Sequence, residues 1–337
     1  MSEPTAAEIG RPAEPPDRPR PRPAPRLDPL AVRRQLRGEG ITARHSMSQN
    51  FLADPDVLQS ILDLAGPEPG RRILEVGPGL GILTGGLLAG GASVTAVELD
   101  RRLAGRLGRV QEEAIASGAL RLVQGDILDQ KIAELMTPPF EVVANVPYHI
   151  TSPILHRFLG AEPRPVRLVL MVQREVAERI SAAPGEMSYL SVFVQFHASV
   201  RIAFAVPREA FEPAPEVDSA VVEIVPGDPL GEAPRLSAAE EGDLWRVVQA
   251  GFRERRKMLR NVLVRQLAMP GARIDAALAA CGIDSERRPQ TLSVEEWLAL
   301  RAALVPLNEA MSPAEAAARS QSARSRAASL GARKGRR

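Results

Sequence analysis

The chain of 337 residues has a single cysteine, Cys281, which leaves no partner for an internal disulfide and no basis for a thiolate metal cluster. Its setting, Leu278-Ala279-Ala280-Cys281-Gly282, reads as the apolar end of a helix closed by a glycine cap, with a buried, inert thiol. The four histidines are scattered and share no metal-ligand spacing with Cys, Asp or Glu, which argues against a metal enzyme. His149 and His156 read as helix-cap and surface residues rather than catalytic groups. No apolar run reaches the length of a bilayer span, because Arg, Glu or Pro interrupts each one. The first residues lack the apolar stretch of a signal peptide. A cytoplasmic protein with no membrane contact is expected.

What is present is ordinary for a globular protein: 45% hydrophobic and 25% charged residues, enough for one large domain and a smaller one. The net charge of +2 is unevenly spread. Residues 311–337 carry Arg319, Arg324, Arg326, Arg333, Lys334, Arg336 and Arg337 against Glu315 alone, and the rest of the chain is slightly acidic. Such a tail reads either as a solvated, disordered segment or as one that scans a polyanion.

Residues 1–29 are rich in Pro and Arg without a hydrophobic period, so they cannot bury enough surface to order themselves. A short helix is expected over 29–36. Asp54-Pro55 is a helix start, with Val57, Leu58, Ile61, Leu62 and Ala65 recurring at helical spacing. From Arg72 strands and helices alternate, with strands expected at 73–76, 94–98, 120–123, 141–144, 166–172, 200–206 and 219–225. Near-continuous Val/Ile/Leu strands separated by helices indicate an α/β fold, a mostly parallel seven-stranded sheet covered on both faces. No helix joins the last two strands, so that pair is expected to be antiparallel. Beyond Asp228 the pattern is helical only. Leu244, Val247, Val248, Phe252, Leu259, Val262 and Leu263 mark one expected helix, and Ser293-Val294-Glu295-Glu296 is a capping box opening another. The expected division is a disordered segment over 1–29, a catalytic domain over 30–229, a helical domain over 230–307 and a basic disordered tail over 308–337.

Glu75-Val76-Gly77-Pro78-Gly79-Leu80-Gly81 ends the first strand and opens a helix. Glycines there let the backbone approach a ligand, and the helix start offers free N–H groups. The spacing differs from the G-x-G-x-x-G of dinucleotide enzymes. Glu98 ends the second strand, where a carboxylate can accept both hydroxyls of a ribose; NAD and S-adenosylmethionine enzymes share that device. Asp126 follows the third strand at the same sheet edge and can accept from an adenine amino group.

Asn145-Val146-Pro147-Tyr148 follows the fourth strand and is the most informative tetrad. Methylating an exocyclic amine is difficult because its lone pair is delocalised into the purine ring. Acceptors on both N–H protons localise that pair, and the Asn145 side-chain oxygen and the Val146 carbonyl can supply them. Pro147 restricts the residue before it and aims that carbonyl. Tyr148 offers a ring for base stacking, worth ~1–3 kcal/mol. Phe211, in the segment Phe211-Glu212-Pro213-Ala214-Pro215-Glu216-Val217-Asp218-Ser219, has two readings: a ring closing the other face of an extruded adenine, or a buried loop anchor. Arg253, Arg255, Arg256, Lys257 and Arg260 are expected on one helix of the second domain, at a density that suits RNA phosphates.

In order and spacing these stretches, with Gln49-Asn50-Phe51-Leu52 and Phe252-x-x-Arg-Arg-Lys257, resemble the 16S rRNA adenine N6,N6-dimethyltransferase family over about residues 40–305. The resemblance implies a Rossmann-like class I methyltransferase domain with a small all-helical C-terminal domain. It implies S-adenosylmethionine as cofactor, with Asn50, Leu52, Gly77, Glu98, Asp126 and Asn145 at its site. It further implies dimethylation of two adjacent adenines near the 3′ end of 16S rRNA in an assembling small subunit. A monomer without metal is expected. Ser48 stands where the family usually has glycine, and His149 and Thr151 replace the commoner Asn and Ser. Three rivals remain: a 23S rRNA methyltransferase of the macrolide-resistance class, a non-catalytic assembly factor on the same fold, and a DNA adenine methyltransferase.

Overall fold

The computed structural model describes residues 28–38, 49–227 and 236–305. The proline-rich head up to residue 27, Ser48 and the basic tail lie outside the described residues. Helix α1 (Pro29–Gly38) and a two-residue strand β1 (Phe51–Leu52) precede α2 (Pro55–Ala65). There follow β2 (Arg72–Val76), α3 (Ile82–Ala89), β3 (Ser93–Glu98), α4 (Arg101–Val110), α5 (Glu112–Ala116), β4 (Leu120–Gln124) and α6 (Ile132–Leu135). Next come β5 (Glu141–Asn145), α7 (Thr151–Leu159), β6 (Arg167–Gln173), α8 (Arg174–Ile180), α9 (Tyr189–His197), β7 (Ala198–Val206), β8 (Phe211–Glu212) and β9 (Ser219–Pro226). The remaining helices are α10 (Ala238–Phe252), α11 (Leu259–Gln266), α12 (Gly271–Ala280) and α13 (Val294–Leu304).

The large sheet has the order β4-β3-β2-β5-β6-β9-β7. Only β9 runs against its neighbours, pairing antiparallel with both β6 and β7. All seven expected strands are found, and the last pair is antiparallel as expected, its connection holding one 3-10 turn at Arg208–Ala210 and no α-helix. The strand order reverses between β2 and β5, so a crevice opens there beyond the carboxyl ends. Successive strand residues feed opposite cores. Leu74, Val142, Leu168 and Leu170 face α6–α9, while Ile73, Val143 and Val169 face α2–α4. Burial on both faces is why these strands read as unbroken apolar runs. Helix α2 begins where the Asp54 side chain accepts from the N–H groups of Asp56 and Val57, and it ends at Gly66.

At the amino edge of the sheet Glu141 is held by Arg71 Nη1 at 3.0 Å and by Arg167 Nε and Nη2 at 2.8 and 2.7 Å. The Arg167 guanidinium also donates to the carbonyls of Leu64 and Ala65, where α2 ends. Glu141→Ala would remove the carboxylate that bridges both cations, leaving Arg71 with Glu68 at 3.0 Å and Arg167 with Glu223 at 3.4 Å. Its stability should fall by about 1–3 kcal/mol, read as a lower urea midpoint with an unchanged slope.

The helical residues form their own core around Trp297, which is fully buried, and that core draws in Met187, Val192 and Phe196 from beside the sheet. One expectation is corrected here. The single helix running from Leu244 to Leu263 is two, α10 and α11, separated by a turn at 253–258. A continuous helix in the phase of Leu244 and Val248 would turn Arg255 into the core. The break keeps Arg253, Arg255, Arg256 and Lys257 exposed, and Leu259 N–H donates to the Arg287 carbonyl at 2.8 Å instead of to its own helix. Cys281 sits at the end of α12 as expected, followed by Gly282 with φ +66°, but the thiol is half-buried rather than fully enclosed.

Between α9 and α10 lies an aromatic cluster of Phe193, Phe196, His197 and Trp245. His156 belongs to it, stacked on Phe193 with centroids 4.1 Å apart and its Nδ1 on the Ser152 carbonyl, so it is a packing residue and not a surface one. Burial, with Arg164 and His156 nearby, pushes His197 down to about 3. The Glu241 carboxylate 3.4 Å from Nε2 pulls the other way, but its Oε1 already accepts from Trp245 Nε1 at 2.9 Å. Between about pH 3 and 6.5 the unfolded chain therefore binds a proton that the folded chain refuses. Stability should rise with pH across that window. His197→Gln should flatten the dependence by about one proton, measured as denaturant midpoints at pH 4, 5, 6 and 7.

Candidate active site

The crevice at the switch point is built at the carboxyl ends of β2, β3, β4 and β5, with β1 beside them. Gly77, Gly79 and Gly81, between β2 and α3, have φ values of +65°, +58° and +75°. A Cβ on Gly81 would lie 2.4 Å from Leu107 Cδ1, so the turn is pressed against α4. At Gly77 the nearest atoms to a Cβ are those of the Pro147 ring at 3.7 Å, which places the tetrad directly over the glycine turn. Two adjoining cavities, open to solvent, meet along Gln49, Gly77 and Pro147. One, of about 760 Å³, is lined by Asn50, Leu52, Gly79, Asn145, Val146 and Tyr148 among others. The second, of about 580 Å³, is lined by Glu98, Leu99, Asp126, Ile127 and His149.

Glu98 ends β3 and is 5% exposed. Its Oε2 accepts from Gly79 N–H at 3.0 Å and its Oε1 from Asp100 N–H at 2.8 Å. Burial raises its carboxyl above the ordinary value, against the pull of those two donors. The carboxylate is thus locked to the glycine turn, with lone pairs left for a ligand. Asp100 opens α4; burial opposes its charge, but Arg102 and the Gln49 side chain hold it below the usual range. Asp126 accepts from Leu128 N–H at 2.9 Å and is half-buried on the wall of the second cavity.

Asn145 ends β5, and its Nδ2 donates to the Asn50 carbonyl at 3.2 Å. That bond settles which way the amide points and leaves Oδ1 as a free-standing acceptor of the side chain. Val146 is buried and continues the pairing, its N–H on the Met171 carbonyl at 3.0 Å. After Pro147 the chain makes a 3-10 turn, Tyr148–Ile150, that presents Tyr148 half-buried at the mouth. The Tyr148 hydroxyl lies 2.7 Å from Ser219 Oγ, itself fully buried on β9. Burial raises the Tyr148 phenol, so the ring stays neutral.

Nine of the expected site residues therefore surround one continuous cleft: Asn50, Leu52, Gly77, Glu98, Asp126, Asn145, Val146, Pro147 and Tyr148. Phe211 does not join them as a free ring. It is 2% exposed, pairs with Leu52 in the β1–β8 ribbon and packs on the core of α2 and β6; of its two readings the anchor is the one observed. The basic residues 253–257 line neither cavity, and Arg260 is paired with Asp275 at 2.6 and 2.8 Å. His149 is exposed on the 3-10 turn at the edge of the second cavity. One polar residue was not singled out from the sequence. Glu75 is 1% exposed, accepts from Thr84 Oγ1 at 2.6 Å, lines the first cavity and is pushed up to about 8 by burial. A charged residue inside the apolar strand Arg-Ile-Leu-Glu-Val was the signal for it. Among the described residues no group of three or more His, Cys, Asp or Glu could hold a metal ion, and no helix is long and apolar enough to cross a membrane.

A curated relative from Geobacter metallireducens, Ribosomal RNA small subunit methyltransferase A, is 42% identical over 279 residues, covering 81% of this chain and 99% of that protein. The protein of the same name from Thermosynechococcus vestitus is 42% identical over 276 residues, covering 80% and 99%. Among solved structures the 23S rRNA methyltransferase ErmE is 29% identical with a TM-score of 0.60, covering 76% of this chain and 99% of that one. A dimethyladenosine transferase from Plasmodium falciparum shares the fold at 24% identity, with a TM-score of 0.62 and coverage of 76% and 98%. The sequence profile of the family described as Ribosomal RNA adenine dimethylase matches residues 40–304, nearly all of the sheet, the cleft and the helical core. The chain belongs to the ribosomal RNA adenine dimethylase family.

Proposed function

We propose that this chain transfers methyl groups from S-adenosylmethionine to N6 of two adjacent adenines near the 3′ end of 16S rRNA, on an assembling small subunit in the cytoplasm. The observation that carries the reading is the amide of Asn145 on the cavity wall, whose Nδ2 is held by the Asn50 carbonyl so that Oδ1 is left as the acceptor. The cleft suits the cofactor. A glycine turn that leaves room at Gly77 adjoins a carboxylate at Glu98 suited to a ribose diol, and a half-buried Asp126 suited to an adenine amine. When bound, the cofactor supplies an electrophilic methyl group on a sulfonium sulfur.

The remaining chemistry belongs to the tetrad. Asn145 Oδ1 and the Val146 carbonyl accept the two hydrogens of the target amine and turn its lone pair out of conjugation. Tyr148 stacks on the base, and its hydroxyl, bonded to Ser219, keeps the ring from rotating away. The amine grows acidic as it takes the methyl, so no strong base is required. Alignment of amine and methyl donor supplies up to roughly 7–11 kcal/mol. The exposed cations at 253–257, on the turn between α10 and α11, would meet RNA phosphates without reading sequence.

The small-subunit assignment is supported by curated relatives near 40% identity along most of the chain; the 23S reading has support from a more distant structure. Incubating the protein with labelled cofactor and unmethylated small or large subunits, followed by nucleoside analysis, decides between them. N6,N6-dimethyladenosine in the small subunit alone is expected. Label confined to the large subunit would overturn the assignment, and no label on either would favour an assembly factor.

A further inference from the structure

The helix that precedes the family-matched region is built unlike the rest of the surface. Val32 and Leu36 of α1 are buried against Phe51, Leu80 and Leu103, three residues that also line the first cavity. Arg33 clamps the helix to β8 through a two-pronged bond to Glu212, at 2.8 and 2.9 Å. The helix thereby backs residues that line the cleft, without lining it itself. Its opposite face carries Leu30, Arg33, Arg34 and Arg37, spaced so that all four fall on one stripe, and all are exposed. No acidic residue lies within the helix; Asp28, just before it, is occupied in capping Ala31 N–H at 2.6 Å. Leu30, 64% exposed on a rim of cations, has no packing role among the described residues.

The geometry points to α1 as a second RNA-docking surface, behind the wall of the catalytic cleft, in which Arg34 and Arg37 meet phosphates of the strand that flanks the target adenine. This rests on the rRNA reading given above. Neither the cleft nor the basic turn of the helical core includes these residues. A polyanion is the occupant that the stripe complements: it is cationic, free of acids, and carried on a helix anchored to the residues behind the cleft. The apolar Leu30 then lies against sugar or base rather than water. Arg33 is excluded from the docking set because Glu212 already neutralises it.

The test uses the full chain and unmethylated small subunits. The double variant R34Q/R37Q is compared with wild type for RNA affinity between 50 and 200 mM salt, alongside cofactor affinity and melting temperature. Losing two phosphate contacts should weaken binding on the order of tenfold at 0.1 M salt and make the log–log salt slope shallower by about 1 to 2. Cofactor affinity and melting temperature should not move, and R34K/R37K should restore the slope. A double variant with wild-type RNA affinity and slope overturns the proposal. So does a variant whose slope is unchanged while cofactor affinity falls, since α1 would then be a backing for the cleft only. Wild-type protein that fails to bind the subunit at all would instead overturn the substrate reading, and this surface with it.

Discussion

Replacing Asn145 with alanine should leave a folded protein that binds cofactor normally and transfers methyl groups about 10²–10³-fold more slowly, the usual cost of removing one preset polar contact to a transition state. The structural loss is small. One half-buried bond to the Asn50 carbonyl disappears, worth about 1 kcal/mol. The chemical loss is large because the acceptor cannot be replaced by water of random orientation in a walled cleft. Asn145→Asp separates the two roles. It restores an acceptor but sets a charged oxygen against the Asn50 carbonyl, so its rate should fall between alanine and wild type. Single-turnover methyl transfer with calorimetric cofactor binding reads both quantities. An alanine variant within twofold of wild type would end the amine-polarising account.

Glu98→Ala should act on binding instead. Hydrogen bonds to a charged group are worth about 1.5–3 kcal/mol each, so losing both bonds to a ribose diol should weaken cofactor affinity roughly 10²–10⁴-fold. The same carboxylate ties Gly79 N–H to Asp100 N–H, so the glycine turn also loses its prop. Glu98→Gln keeps the shape but can no longer take every donor as an acceptor, and should fall between the two. Titration calorimetry with S-adenosylhomocysteine checks the series. An alanine variant within threefold of wild type would remove Glu98 from the ribose.

Much of this architecture was legible from the chain. Strands buried on both faces leave unmistakable Val/Ile/Leu runs, and the glycine turn and the Asn-Val-Pro-Tyr tetrad are local, so neighbouring residues suffice to read them. What escaped depends on distant partners. Apolar residues on both sides of the turn at 253–258 keep a helical phase, and the partner that receives Leu259 N–H at the break, the Arg287 carbonyl, lies far along the chain. The β1–β8 ribbon has two residues per strand, too few to alternate, so its burial of Phe211 left no periodic trace. The Tyr148–Ser219 bond and the burial of Glu75 beneath Thr84 likewise exist only once the sheet has closed.

The proline of the tetrad lies against the glycine turn, its ring 3.7 Å from where a Gly77 side chain would begin, and both cavities share this partition. On the function proposed above, the cofactor would reach both cavities past this ring, and the target base would enter beside it. A shift of the pyrrolidine would then be felt by both guests, and by thermodynamic reciprocity any effect of one on the other would be matched in return.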